Sequence, residues 1–164
     1  MPIRPRQPSD LDACVTILRR VYETSGYPGR WPADPAGFLS SAGLIAAWVA
    51  EQDGVVAGQV GLVQRDQPAC LLEATGREAS QIAEVIRLYV DPAAWGSGLG
   101  GGLLAAACEY AVASGLRPVL RVVEGSGPAI ALYERTGWRL AGSATATWST
   151  PEGDHPVILY YVSP

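Results

Sequence analysis

Apolar residues repeat along this chain at two periods, and the alternation between them outlines a mixed α/β protein. Near the start, Cys14, Ile17, Leu18 and Val21 share one helical face. Ser9-Asp10-Leu11-Asp12 precedes them as an N-cap with acidic first-turn residues. A helix is therefore expected over residues 10–24, after a short strand from Ile3 to Arg6. Asp34-Pro35 starts a second, short helix through Phe38 and Leu39. Leu44 to Gln52 and Val55 to Arg65 then carry strand patterns, and the tight-turn dipeptide Asp53-Gly54 between them predicts an antiparallel hairpin. Residues 67–80 show no period that decides between a loop and a short irregular helix.

The middle of the chain is denser in signals. Residues 82–90, IAEVIRLYV, form a strand run, and Asp91-Pro92-Ala93-Ala94-Trp95 leads into the glycine cluster GSGLGGG. The run LLAAACEYAVAS continues as a helix to Ser114, with Gly115 as its C-cap. Pro118 to Glu124 is the next strand, and the helical crossover makes it parallel to the strand before. Pro128 to Thr136 reads as a helix stopped by Gly137. Trp138 to Trp148 and Val157 to Val162 close the chain as a strand pair around Pro151-Glu152-Gly153-Asp154. The expected fold is α/β in the α+β sense, one domain over residues 1–164. It has a mostly antiparallel sheet of about six or seven strands with one central parallel βαβ step, and about four helices. A single parallel step leaves one split between neighbouring strands, where ligands of open sheets collect.

Composition narrows the chemistry. With 164 residues and 48% hydrophobic content, the chain can bury a sizeable core without disulfides or metals. Charged residues make up 17% and the net charge is -4, which argues against a nucleic-acid footprint or a basic membrane face and suits a neutral or cationic substrate. Neither lysine nor asparagine occurs. Cys14, Cys70 and Cys108 are odd in number and form no C-x-x-C pattern, so neither a disulfide framework nor a zinc site is expected. Cys14 and Cys108 fall within apolar helix stripes and read as core fillers. The lone histidine, His155, stands in a Gly-Asp-His-Pro turn, which leaves histidine-dependent nucleophilic catalysis without support. No apolar targeting run opens the chain, and no stretch approaches about 18 uninterrupted apolar residues, so a soluble, cytoplasmic protein is expected.

Gly96, Gly98, Gly100, Gly101 and Gly102 remove Cβ atoms where backbone N–H groups open a helix, so an anionic group can approach the positive end of its dipole. The same cluster also suits a plain flexible turn. As G-x-G-x-x-G it suggests a dinucleotide-binding fold, with Glu124 where a ribose-binding acid would stand. In that fold the glycines follow the strand directly, whereas Asp91 to Trp95 intervene here. A Walker-type loop fails for want of a lysine. The run AEVIRLYVDP with Trp95-Gly96-Ser97-Gly98-Leu99-Gly100 resembles the acetyl-CoA-binding motif of the GNAT superfamily of N-acetyltransferases, written Arg/Gln-x-x-Gly-x-Gly/Ala. Residues 129–138, AIALYERTGW, resemble that superfamily's A-I-x-L-Y-E-x-x-G-F block, and the order of elements agrees from Ile3 to Val162. Trp95 stands where the pattern has Arg or Gln, and Ser126 where it usually has Asn.

The resemblance implies transfer of an acetyl group from acetyl-CoA to a primary amine by direct attack in a ternary complex, without a metal. The implied partners are acetyl-CoA and the amine, with neither nucleic acid nor membrane, and a homodimer is left open. A domain that senses acyl-CoA without turnover and an NAD-binding oxidoreductase are the alternatives. The implied pyrophosphate contacts are the N–H groups of Trp95, Gly96, Ser97, Gly98, Leu99, Gly100 and Gly101; Ser126, just ahead of the second block, and Ala129 and Tyr133 within it are also expected to contact the cofactor. The pantetheine arm is expected to pair with the backbone of Leu88 and Val90, where the parallel strands splay. An N–H near Leu88 or Tyr89 then faces the thioester carbonyl, and Tyr133 protonates the leaving thiolate.

Glu84 is the candidate base. By strict alternation it shares a face with Ile86, Leu88 and Val90, an apolar row in which desolvation favours its taking a proton, unless a bulge breaks the parity. The competing reading is a rim carboxylate or an ion pair with Arg87 or Arg121, in which case Glu73, Glu124 or a water relay takes the proton. Tyr27, Arg30 and Trp31, in a Gly/Pro-rich loop, are expected either to select the substrate or to pack that loop down.

Overall fold

The computed structural model of the chain describes residues 3–164. Seven strands form one sheet: β1 (Ile3–Pro5), β2 (Leu44–Gln52), β3 (Val55–Val63), β4 (Ile82–Val90), β5 (Arg117–Val123), β6 (Arg139–Thr145) and β7 (Val157–Val162). Their order is β1-β2-β3-β4-β5-β7-β6, mostly antiparallel with one parallel pair. The five α-helices are α1 (Leu11–Ser25), α2 (Pro35–Leu39), α3 (Ala69–Thr75), α4 (Leu99–Ala113) and α5 (Gly127–Arg135). The extra helix beyond the four expected is α3, in the aperiodic stretch. Two strands are shorter than their patterns suggest: β3 ends at Val63, which releases Arg65 into a loop, and β6 ends at Thr145.

Contacts divide the chain into two compact units. The first comprises residues 1–63 and 85–110. In it, Asp53 and Gly54 take positive φ of 54° and 78° and turn β2 back on β3 with Gln52 opposite Val55, as the dipeptide predicts. Asp34 accepts a hydrogen bond from the Gly37 N–H at 3.1 Å and so caps α2. The helical face of α1 buries Cys14, Ile17, Leu18 and Val21 with Leu39, Val49 and Tyr89. The buried Tyr89 hydroxyl donates to the Cys14 carbonyl at 2.8 Å, which satisfies both groups.

The second unit comprises residues 64–84 and 111–164. Its core joins Leu71 of α3 to Ile82, Val119, Ile158, Tyr160 and Val162. A Cβ on Gly142 would lie 2.9 Å from both Cβ and Sγ of Cys70, so α3 sits against β6 at a distance only glycine permits. β5 pairs antiparallel with β7, placing Arg121 opposite Tyr160.

Candidate active site

The first α-type bond of α4 runs from the Gly102 N–H to the Gly98 carbonyl at 3.1 Å. The N–H groups of Leu99, Gly100 and Gly101 therefore have no acceptor within the helix. Gly96 and Gly98 hold φ of 81° and 86°, and a Cβ at either would meet nothing within 4 Å, so the space beside the loop is open. This is the geometry an anionic group needs at a helix N-terminus.

The connector ahead of the cluster is tied down rather than loose. Its turn is a 3-10 helix over Pro92–Ala94, with the Asp91 side chain accepting from the Ala93 N–H at 3.1 Å and pairing with Arg20. The N–H groups of Trp95 and Ser97 donate to the carbonyls of Pro92 and Ala94 at 3.2 and 3.3 Å. These two expected phosphate donors are thus engaged within the turn, and the cradle narrows to the glycines and the first turn of α4. Trp95 gives its only side-chain donor to the Val90 carbonyl at 2.8 Å, while its ring stays half-exposed.

Mid-strand, Arg87 of β4 adopts φ of 53°, a region that costs a non-glycine residue about 1–3 kcal/mol. Two neighbours hold it there. Gln59, fully buried on β3, donates to the Arg87 carbonyl at 2.5 Å, and the Arg87 guanidinium lies 3.8 Å over the Phe38 ring. The strict alternation expected from Glu84 to Val90 fails at this point. Beyond it Tyr89 is the buried side chain, whereas Leu88 and Val90 are half-buried.

The surroundings expected of Glu84 need correction as well. Its side chain is fully buried, yet it faces two guanidiniums and an amide rather than an apolar row. Arg65 Nε and Nη2 donate to it at 3.1 and 2.5 Å, Arg121 Nε and Nη2 at 2.9 and 3.0 Å, and Gln67 Nε2 at 3.1 Å. Burial pushes its proton affinity up, but the bonds and charge of Arg65, joined by Arg121, outweigh burial and hold the carboxyl below the ordinary glutamate range. Arg121 was one of the two ion-pair partners considered from the sequence. Arg87, the other, is turned onto Phe38, and Arg65 and Gln67 were not anticipated. The available signals were an arginine among apolar neighbours on β5 and two polar residues just past the end of β3.

The remaining residues fall as follows. Tyr133 is buried, its ring centroid 6.1 Å from Trp138 and 6.2 Å from Tyr161. Ser126 is the N-cap of α5, its carbonyl accepting from the Ile130 N–H at 3.0 Å, with Ala129 half-buried in the first turn. Tyr27 and Trp31 pack against the α1 core, and Arg19 sits 4.1 Å over the Trp31 ring. Their loop is therefore packed down. Arg30 is exposed, as are Glu73 and Glu124. Cys14 is buried and Cys108 half-buried, and burial pushes both thiols up to about 11, away from reactivity. Among the described residues no cluster of three metal-ligating side chains occurs, and no helix is long and apolar enough to cross a membrane.

Solved N-acetyltransferases share this fold. The chain is similar to the ribosomal-protein-alanine N-acetyltransferase from Brucella melitensis, with 22% identity, a TM-score of 0.77 and 99% of each chain covered. The ribosomal-protein-S18-alanine N-acetyltransferase from Escherichia coli gives 21% and 0.73, with 99% of this chain and 92% of that one covered. Arabidopsis thaliana NAA60 in complex with acetyl-CoA gives 18% and 0.73, covering 98% and 96%. No curated protein matches by sequence. The family model described as Acetyltransferase (GNAT) family matches residues 12–138, most of the chain, including β4, the glycine loop and the whole second block. The chain belongs to the GNAT acetyltransferase family.

Proposed function

We propose that the protein is an N-acetyltransferase that moves an acetyl group from acetyl-CoA to a primary amine by direct attack in a ternary complex. The observation that carries this reading is the glycine-opened start of α4. Three first-turn N–H groups stand without helical acceptors beside open space at Gly96 and Gly98, inside the stretch the family model matches. The residues that would hold the pyrophosphate are Gly96, Gly98, Leu99, Gly100 and Gly101, and the backbone of Leu88 and Tyr89, set by the kink at Arg87, would face the carbonyl. When bound, acetyl-CoA supplies an activated thioester. Overall the amine exchanges an N–H for an N–acetyl bond and CoA departs as the free thiol.

Tyr133 is assigned the proton for that thiol. Glu84, kept ionised by two arginines, is a weak proton acceptor, so we assign the proton lost by the amine to water and give Glu84 the role of positioning Arg65 and Arg121.

Thermal unfolding with acetyl-CoA, NAD and ATP tests the binding step, because a ligand that binds only the folded chain raises its melting temperature. Acetyl-CoA alone is expected to do so, and no shift with it would sink the proposal. Free-thiol release over an amine panel then separates an enzyme from an acyl-CoA sensor. Tyr133→Phe is expected to lower turnover about 100-fold with the acetyl-CoA shift unchanged. Equal turnover in the two proteins would remove Tyr133 from the mechanism.

A further inference from the structure

The cluster around Glu84 lies wholly within residues 64–84 and 111–164, and its charges do not cancel. One carboxylate receives two arginines, which leaves one net positive charge. A structural need to neutralise a buried acid is met by a single arginine; the second is surplus. Each guanidinium has five N–H donors and turns only its Nε and Nη2 toward Glu84. The Nη1 groups of both make no hydrogen bond among the described residues, the Arg121 guanidinium also lying 5.3 Å from the Tyr160 ring centroid, and about a third of each side chain is exposed, 35% for Arg65 and 33% for Arg121. In a chain of net charge -4, this is a local cationic surface with its donors fixed in direction by a buried anchor.

Gln67 adds a group of the opposite kind. Its amide nitrogen donates to Glu84 Oε1 at 3.1 Å and to the Arg65 carbonyl at 3.4 Å. Both partners are acceptors, so the nitrogen must face them, and the amide orientation follows. Gln67 Oε1 is left buried without a donor. Buried acceptors in native proteins find a partner, and one left open beside unpaired donors marks a place for a ligand that brings both an anion and an N–H.

We infer that the acceptor amine carries a carboxylate, which docks on the Nη1 edges of Arg65 and Arg121 while Gln67 Oε1 accepts an N–H of the same molecule. The substrate class is an amino acid or another small carboxylate-bearing amine. A monoanion matches the single surplus charge, and the planar guanidinium edge matches a carboxylate's two oxygens. This assignment rests on the transfer reading above and names the substrate class of that reaction.

The test is free-thiol release with acetyl-CoA over L-amino acids, their amides and the matching decarboxylated amines. The carboxylate-bearing members are expected to show kcat/KM about tenfold or more above their amides. Arg121→Lys and, separately, Arg65→Lys keep the charge against Glu84 but lose the fork. Both should erase that preference while keeping the thermal shift with acetyl-CoA. Equal rates for acids and amides, or faster amides, would overturn the inference and leave the transfer reading standing. If no panel member reacts, nitrogen-15 shifts of the Arg65 and Arg121 side chains titrated with the same amino acids decide it: perturbation of both supports the docking site, and none overturns it. Arginine signals that respond in a chain acetyl-CoA does not stabilise would keep the site and remove the transfer reading.

Discussion

Among the described residues, two ionic clusters have opposite stoichiometry. In one, a single cation serves two acids: Arg4 forks onto Asp10 at 2.8 and 3.0 Å and meets Glu51 at 2.6 Å. In the other, two cations serve one acid, with Arg65 and Arg121 closing on Glu84. The first ties β1 to β2 and to the start of α1, and its donors are nearly all spent there, with Arg4 Nη1 also reaching the Pro5 carbonyl at 3.2 Å. The second leaves Nη1 donors over. Burial differs as well, since Glu84 is sealed whereas Glu51 keeps 26% of its side-chain exposure. Burial sets how much a cluster can cost or contribute to stability, and stoichiometry sets whether it has anything left to offer a ligand.

The largest test of that difference is Glu84→Gln. Removing the buried anion on which two partly exposed guanidiniums converge is expected to destabilise the fold by up to about 3–5 kcal/mol, read from urea unfolding. Replacing the whole cluster, as Arg65→Met, Glu84→Leu and Arg121→Met together, should instead come within about 1 kcal/mol of the parent or exceed it, because the desolvation cost of all three charges vanishes. A triple variant as unstable as Glu84→Gln would mean the cluster is needed for folding in its own right.

Acid separates the clusters next. The folded-state affinity of Glu84 for a proton is lowered, chiefly by Arg65 and Arg121 working against burial, and that of Asp10 is lowered chiefly by its hydrogen bonds to Arg4. Each therefore contributes stability that is fully present above the unfolded carboxyl value, 4.5 for Glu84 and 3.8 for Asp10, and is lost as pH falls through the lower folded value. Melting temperature followed downward through that window should fall steeply in the parent and more gently in Glu84→Gln. An identical slope in both proteins would contradict the lowered Glu84 affinity.

What could be read in the sequence follows the same division between local and distant causes. The β2–β3 hairpin, the span of β4 and the C-caps of α4 and α5 are legible because Asp53-Gly54, Gly115 and Gly137 act on their immediate neighbours, each at positive φ. The helix α3 was not, since its seven residues make too short a run to show a period. The kink at Arg87 depends on Gln59, 28 residues away, and on Phe38, 49 away, so nothing in β4 itself announces it. The arginine partners of Glu84 are 19 and 37 residues distant, and Gln67 is 17 away. A glutamate in an apolar strand was the visible half of the cluster, and its meaning lay in two arginines brought to it by other segments. Trp95 shows the same effect at shorter range, spending its indole donor on Val90 five residues back.

Asp10→Ala should cost less than Glu84→Gln. Asp10 accepts from the Gln7 N–H at 2.7 Å as well as from Arg4, so its loss opens the turn that leads into α1, a capping effect of about 1–2 kcal/mol.

Glu51→Gln probes the weakest arm. Its bond to Arg4 is short, but both side chains keep contact with water, and Arg4 retains Asp10 when Glu51 is neutralised. An exposed pair with a second partner in reserve contributes little, so the change is expected to move stability by less than about 0.5 kcal/mol, and less still at high salt. A loss comparable to that of Asp10→Ala would show that Glu51, rather than Asp10, sets the direction of Arg4. The one-cation cluster would then share with the two-cation cluster a dependence on every one of its members, and stoichiometry would no longer distinguish them.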